Sequence, residues 1–312
     1  MLKFKIIQYI IPMNRGIIFM KIAITTDSGS GISQEEAKRL GITVIPMPFM
    51  IDHETYFEDI NITEAEFYQA LNAHLPIHTS QPSVYTLEEV WEKLLKEYDY
   101  IVHIPISSGL SGTCQSALLV ASEVDEERIQ VVDNRKVALT QRRSVLEALE
   151  LVKRGKSAIE IKNVLEDHSA DNTIYIGLDT LSFLKAGGRI TPAVATIGSL
   201  LKIKPVLTIV EGGRLDTYSK ARSKKGIKHE IINALKKDAL EKFDDPEGRE
   251  CYFGVAYAGN RDEAEAFASE IAEAFPSRMD VPISVEPLSE IVVCHTGPGI
   301  LGAAIMHKLP EL

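Results

Sequence analysis

Apolar runs and amphipathic stretches alternate along most of the chain. Residues 21–26 form a strand-like run that closes on Thr26-Asp27-Ser28-Gly29-Ser30-Gly31. A helix is predicted over 33–40, with Ser33 as its cap and Glu36 three residues on, the spacing of a capping box. Residues 43–47 read as a strand, and 63–73 as a helix with Thr63 and Glu66 in the same relation. A helix at 86–96, a strand at 100–105 and a short strand at 129–133 follow, then helices near 141–153 and 157–167. Strands separated by helices of this length predict a parallel sheet covered on both faces. Ligands on such sheets gather beyond the carboxyl ends of the strands.

The pattern changes near 169–172. A strand at 173–177 leads to Lys185-Ala186-Gly187-Gly188-Arg189, which breaks the chain, and Thr191-Pro192 opens a small-residue apolar helix reaching Leu201. Strands at 206–210 and 215–219 flank Glu211-Gly212-Gly213-Arg214, a hairpin turn by composition. Helices are predicted over 222–243 and 261–275, the latter with Ala264, Phe267, Ala268, Ile271 and Phe275 on one face. A last strand at 291–295 is expected to end in His295-Thr296-Gly297-Pro298-Gly299, ahead of a terminal helix.

Two hydroxyl-rich segments stand where helices should begin: Thr79-Ser80-Gln81-Pro82-Ser83 and Ser107-Ser108-Gly109-Leu110-Ser111-Gly112-Thr113. The second sits between the strand at 101–106 and a helix-like stretch at 114–124. A strand, a Ser/Gly loop and a helix start are expected to aim free backbone N–H groups and hydroxyls at one spot, which suits an anion. Neither loop holds a lysine, so a carboxylate is a better guest than a nucleoside triphosphate.

With 312 residues the chain exceeds the usual single core of roughly 100–200 residues, so two domains are expected. The divisions fall at 1–19 (an N-terminal extension), 20–169 (a Rossmann-like α/β domain holding the head-group loops) and 170–312 (a second α/β domain). The net charge of −10 argues against a nucleic-acid partner. The three cysteines, Cys114, Cys251 and Cys294, show no C-x-x-C spacing, so neither a zinc site nor a disulfide framework is expected, and a reducing cytoplasm is the simplest location. Residues 6–13 are apolar but interrupted by Gln8 and Pro12, too short to span a bilayer. No small-residue cleavage site precedes Met20, which is expected to be the true start, with the leader before it an upstream extension.

Taken together, these segments resemble the DegV family of bacterial fatty-acid-binding proteins. The resemblance rests on Thr26-Asp27-Ser28, the two hydroxyl segments, the run from Lys185 to Ile190, Lys202-Ile203-Lys204-Pro205, Lys220-Ala221-Arg222 and His295-Thr296-Gly297-Pro298-Gly299. It implies two α/β domains, the second with a mixed sheet, and a long-chain fatty acid as ligand with no other cofactor, no metal and no catalytic residues. By the resemblance Thr79 and Ser111 bind the carboxylate, Arg189 and His295 belong to the same site, and Arg222 contacts a partner or an acyl phosphate. Some members present the acyl chain to a separate fatty acid kinase, so such a partner is implied here. Two departures stand out. Gly29 occupies a position that is commonly threonine, and Asn134-Arg135-Lys136-Val137-Ala138-Leu139-Thr140-Gln141-Arg142-Arg143 replaces a serine followed by glycines.

Plainer roles exist for each residue. A Ser or Thr at a helix start is ordinarily an N-cap. His295 before a Gly-Pro-Gly turn is by default a surface histidine; Arg189 would then bond helix carbonyls, and Arg222 would pair with acids such as Asp216. A rival function is a serine hydrolase or acyltransferase with Ser111 as nucleophile and His295 as base. Thr113 stands where a nucleophile elbow needs glycine, which weakens it.

Overall fold

The computed structural model describes residues 9–11, 18–191, 203–278 and 281–312. The apolar helix expected from Thr191-Pro192 onward falls outside these residues from 192 to 201. An antiparallel hairpin of β1 (Tyr9–Ile11) and β2 (Ile18–Met20) precedes β3 (Ile22–Asp27). β3 lies in a parallel sheet between β4 (Thr43–Ile45) and β8 (Tyr100–Ile104), with β9 (Ile129–Val131) outside β8. One face packs on α1 (Gln34–Leu40), α5 (Leu139–Lys153) and α6 (Ala158–Asp167). The other packs on α3 (Val84–Leu94) and α4 (Thr113–Val124), with Trp91 fully buried.

The caps follow the expected chemistry with one exception. Thr63 and Glu66 close a full capping box at the start of α2 (Glu64–Asn72). Ser33 accepts from the backbone N–H of Glu36 at 3.1 Å, but the Glu36 carboxylate does not return to Ser33. It forms a two-pronged ion pair with Arg142 of α5 instead. A fixed guanidinium fork outcompetes a single backbone N–H for a carboxylate.

A small antiparallel sheet, β6-β5-β7, lies beside the parallel one, formed by β5 (Phe49–Ile51), β6 (Glu54–Tyr56) and β7 (Ile77–Thr79). Each strand has three residues, too few to carry a periodic signal.

The third sheet is mixed and has the order β12-β11-β10-β15-β13-β14. It comprises β10 (Asn172–Gly177), β11 (Lys204–Ile209), β12 (Leu215–Ala221), β13 (Cys251–Tyr257), β14 (Ser284–Pro287) and β15 (Leu301–His307). All its neighbours are antiparallel except β13 and β14. α8 (Lys224–Lys237) and α9 (Arg261–Ala274) cover one face. α5 contributes Leu139 to the other, against Ile174, Ala256 and Ala304, so this helix is shared by two sheets.

Two expectations at the C-terminus are corrected. Residues 291–295 belong to the helix α10 (Glu290–Thr296), and the segment expected as a terminal helix is strand β15. β15 lies between β10 and β13 and is buried along nearly its whole length, so both faces are apolar and no alternation marks it as a strand. Its Gly302 has no room for a side chain: a Cβ there would stand 3.0 Å from the carbonyl of Tyr175. In α10 the β-branched residues Ile291 and Val293 pack into the core beside α7 (Ser182–Gly187), and tertiary burial overrides their strand preference.

Candidate functional site

Thr79 is the last residue of β7 and pairs with Phe49 of β5. The next backbone N–H, of Ser80, donates to the carbonyl of Pro48 at 3.0 Å, so the chain leaves β7 in a fixed direction. The Thr79 hydroxyl lies 2.8 Å from Nε2 of His295, in the last turn of α10. Burial, and then the positive charge of nearby Arg189, push the His295 imidazole down to about 4. The ring is therefore neutral near pH 7, and Nε2 and the Thr79 hydroxyl share one hydrogen bond of either polarity.

Arg189 follows α7. Its Nε donates to the carbonyl of Leu110 at 3.3 Å and its Nη1 to the carbonyl of Gly187. The carbonyl-bonding role considered for Arg189 is thus real, and it straps the second hydroxyl loop to the end of α7. In that loop the Ser111 hydroxyl lies 2.8 Å from the Thr113 hydroxyl and accepts from the Thr113 backbone N–H at 3.3 Å.

The loop differs from its expected form in one respect. The N–H groups of Leu110 and Ser111 donate to the Ser107 carbonyl, and that of Gly109 to the Ser107 hydroxyl. These N–H groups are spent inside the loop.

Thr79, Ser111, Arg189 and His295 all line one cavity of about 350 Å³. Gln81 lines it too, and its amide nitrogen donates to the Ser116 hydroxyl of α4 at 2.5 Å, tying the two hydroxyl loops together. Gly112 allows this approach, since a Cβ there would stand 2.4 Å from Oε1 of Gln81. Ser80 and Thr296 also line it, and Met47, Ile106, Val137, Leu184, Leu215 and Ile291 form its apolar wall. Its polar side chains converge from separate segments, Thr79 and Gln81 from the first hydroxyl segment, Ser111 from the second, Arg189 from the end of α7 and His295 from α10, with Thr79 and His295 bonded to each other. That is a cavity built for an amphiphile, with an acyl-sized apolar part and one anionic end.

Arg222 lies elsewhere. It is exposed between β12 and α8 and does not line the cavity. Sequence reasoning named Thr79, Ser111, Arg189 and His295 for the site, but not Gly187, whose close approach to His295 no local pattern reveals.

Comparison with known proteins follows the same lines. The DegV profile, described as "Uncharacterised protein, DegV family", matches residues 21–308. The chain belongs to the DegV family. Protein DegV of Bacillus subtilis is 33% identical over 292 residues, covering 93% of this chain and 100% of that protein. Its crystal structure, described as that of a fatty acid binding protein, superimposes with a TM-score of 0.81 at 32% identity, covering 93% of this chain and all of that one. A DegV family protein from Thermus thermophilus, described by its fatty acid binding, gives a TM-score of 0.81 at 33% identity, over 92% of this chain and 100% of that one. The parallel N-terminal sheet and mixed C-terminal sheet are the DegV architecture.

The two departures from the DegV pattern meet in space. A Cβ at Gly29 would lie 2.8 Å from Oδ1 of Asp27, 2.9 Å from Cβ of Ile106 and 3.0 Å from Oε1 of Gln141. Gln141 is fully buried, and its amide donates to Thr26, Asp27 and the Ile104 carbonyl. A side chain at Gly29 would thus meet the Asp27 carboxylate and Ile106 first, and then Gln141 from the altered segment. Asp27 in turn accepts from the N–H of Ile106 at 2.8 Å and so fixes the strand end from which the second hydroxyl loop departs. Burial pushes its carboxyl up to about 6 despite these donors and the Gly29 N–H, which donates to it at 2.9 Å.

Proposed function

We propose that this protein is a non-catalytic carrier that buries one long-chain fatty acid in the cavity beneath Thr79, Ser111, Arg189 and His295. The observation that carries the proposal is an apolar cavity whose few polar side chains converge from both hydroxyl loops, the end of α7 and α10. The two DegV structures described as fatty-acid-binding, from Bacillus subtilis and Thermus thermophilus, support the same ligand class.

The energetics separate tail from head. A buried methylene contributes about 0.8 kcal/mol, so a tail of about fourteen contributes roughly 11 kcal/mol before ordering costs. One hydrogen bond to a charged group contributes about 1.5–3 kcal/mol. The tail sets affinity, and Thr79 and Ser111 set where the carboxylate sits. Neutral His295 offers the carboxylate a hydrogen bond, while Arg189 supplies the charge.

In this reading the carboxylate is presented to a partner, a fatty acid kinase of the bacterial cytoplasm, that converts it to an acyl phosphate for phospholipid synthesis. Exposed Arg222 is the contact with that partner or with the phosphorylated product. Among the described residues no helix is long and apolar enough to cross a membrane.

A hydrolase reading is less well supported. His295 is bonded to Thr79 and Ser111 to Thr113, and among the described residues His295 has no carboxylate partner to orient it as a base.

The double variant Thr79→Ala/Ser111→Ala tests the head-group assignment. Titration with palmitate should show affinity reduced by about tenfold or more with the fold retained, since each lost bond to a charge is worth about 1.5–3 kcal/mol. Arg222→Ala should leave that affinity unchanged while lowering acyl phosphate formation by the partner kinase. Wild-type affinity in the double variant, or wild-type transfer in Arg222→Ala, contradicts the assigned roles.

A further inference from the structure

The cavity beneath Thr79 has two unlike ends, and α10 runs between them. His295, in the last turn of α10, bonds to Thr79 at the polar end, and Ile291, one turn earlier, lines the same cavity. The chain enters α10 beside the short turn Ser28–Ser30: α10 touches that turn, and a Cβ at Gly31 would stand 3.3 Å from the Pro287 carbonyl. Three more wall residues hang on the same turn. The backbone N–H of Met47 donates to the Ser28 hydroxyl at 3.0 Å. That of Ala138 donates to the Gly29 carbonyl at 2.8 Å, which places Val137 beside the turn. A Cβ at Gly29 would stand 2.9 Å from Cβ of Ile106. Met47, Ile106 and Val137 therefore close the cavity at the end away from Thr79 and His295.

Behind this floor the protein is polar. Asp27 and Gln141, both fully buried, crowd the same Gly29 position and bond to one another. The Asp27 carboxylate also holds the N–H of Ile106 itself. A separate cavity of about 780 Å³, which Glu290 lines, lies at the other end of α10. A methylene forced through the floor would break hydrogen bonds of buried groups and put nothing polar in their place, which is costly. The apolar cavity is thus blind at this end.

Val137 is the least yielding part of the floor. It is 5% exposed and packs in one cluster with Met47, Ile106 and Ile291. Its N–H donates to the Thr140 hydroxyl oxygen at 3.2 Å, and that hydroxyl donates to the Val137 carbonyl at 2.9 Å. The preceding carbonyl, of Lys136, accepts from the Ser107 N–H at 2.8 Å. Bonds on both sides fix the backbone, and β-branching leaves the side chain few rotamers. Met47, with its unbranched flexible side chain, can adapt where Val137 cannot. We propose that Val137 sets the chain length this protein accepts, by closing the blind end of the cavity against the terminal methyl of a straight-chain fatty acid. This role rests on the carrier reading and adds an upper limit to the tail.

Titration of the full chain with straight-chain saturated acids from dodecanoate to eicosanoate tests it. Affinity should rise about fourfold with each added methylene, pass through a maximum, and fall once the methyl meets the floor. Val137→Ala removes two methyl groups from the floor, so the maximum should move to acids about two carbons longer. Val137→Ile fills the floor and should move it to shorter acids. Val152→Ala, the same truncation in the core beside α5 but outside the cavity, should leave the maximum in place. Binding of no acid at any length would overturn the carrier reading and this role with it. Affinity that rises through eicosanoate without a maximum, or a maximum that neither Val137 variant moves, would overturn the role of Val137 and leave the carrier reading standing.

Discussion

A methyl group added at Gly187 would stand 2.2 Å from Nδ1 of His295. The obstructing atom belongs to a side chain, so the ring gives way before the backbone does. Gly187→Ala should therefore break the Thr79–His295 hydrogen bond, lowering fatty-acid affinity by about tenfold or more with little change in Tm. Unchanged affinity on palmitate titration would show that the His295 position does not matter to the ligand. His295 itself makes a second prediction. Its imidazole is ordinarily protonated below about 6.5, and in the fold only below about 4. The folded state thus binds fewer protons between those values, and this contribution to stability, complete above pH 6.5, is lost as pH falls towards 4. NMR of the ligand-free protein should show the ring neutral from pH 8 to 5; a midpoint near 6.5 contradicts the buried placement. At this scale the hydroxyl loops alone pointed to an anion, while Thr79, Ser111, Arg189 and His295 were singled out by their resemblance to DegV motifs. Gly187 was not, since its value lies in what it leaves out.

Among the elements, amphipathic helices were readable from periodicity, and β3 and β8, though buried, from short apolar runs closed by turn residues; β13 and β15 lacked both signals. α9 shows one apolar face and lies where the pattern placed it. β15 is surrounded and has no polar face, and β13 is nearly as buried, so neither carries alternation. α10 was misread as a strand for the related reason that Ile291 and Val293 answer to packing rather than to local preference. The error matters because this one seven-residue helix faces both cavities, with Glu290 at one end and His295 at the other. A separate cost sits at the start of α5. Ala138, which precedes it, has φ 50° and ψ −127°, a conformation glycine adopts freely and alanine does not. Ala138→Gly should therefore raise stability, by about 1 kcal/mol or more, measurable as a higher urea midpoint. A lower midpoint would mean that the Ala138 methyl, 6% exposed, packs better than its backbone is strained.

Across the whole molecule the site is assembled from parts far apart in sequence. The tip of the β11–β12 hairpin docks on the second hydroxyl loop through glycines: a Cβ at Gly109 would stand 2.1 Å from the Gly212 carbonyl, and one at Gly213 would stand 2.4 Å from the Ser107 hydroxyl. Ser107 donates to the Gly213 carbonyl at 3.1 Å. α5 then binds the parallel and mixed sheets to one another. The order of the motifs gave the architecture, but this interlock is a matter of shape and left no trace in spacing. The central claim is that the cavity so enclosed holds a free fatty acid without forming a bond to it. Native mass spectrometry of the purified full chain, followed by denaturation, tests it most directly. One long-chain acid per chain should be present in the native spectrum and should leave intact on denaturation, with no acyl mass retained on Ser111. A native spectrum without lipid, or an acyl adduct that survives denaturation on Ser111, would contradict the carrier account.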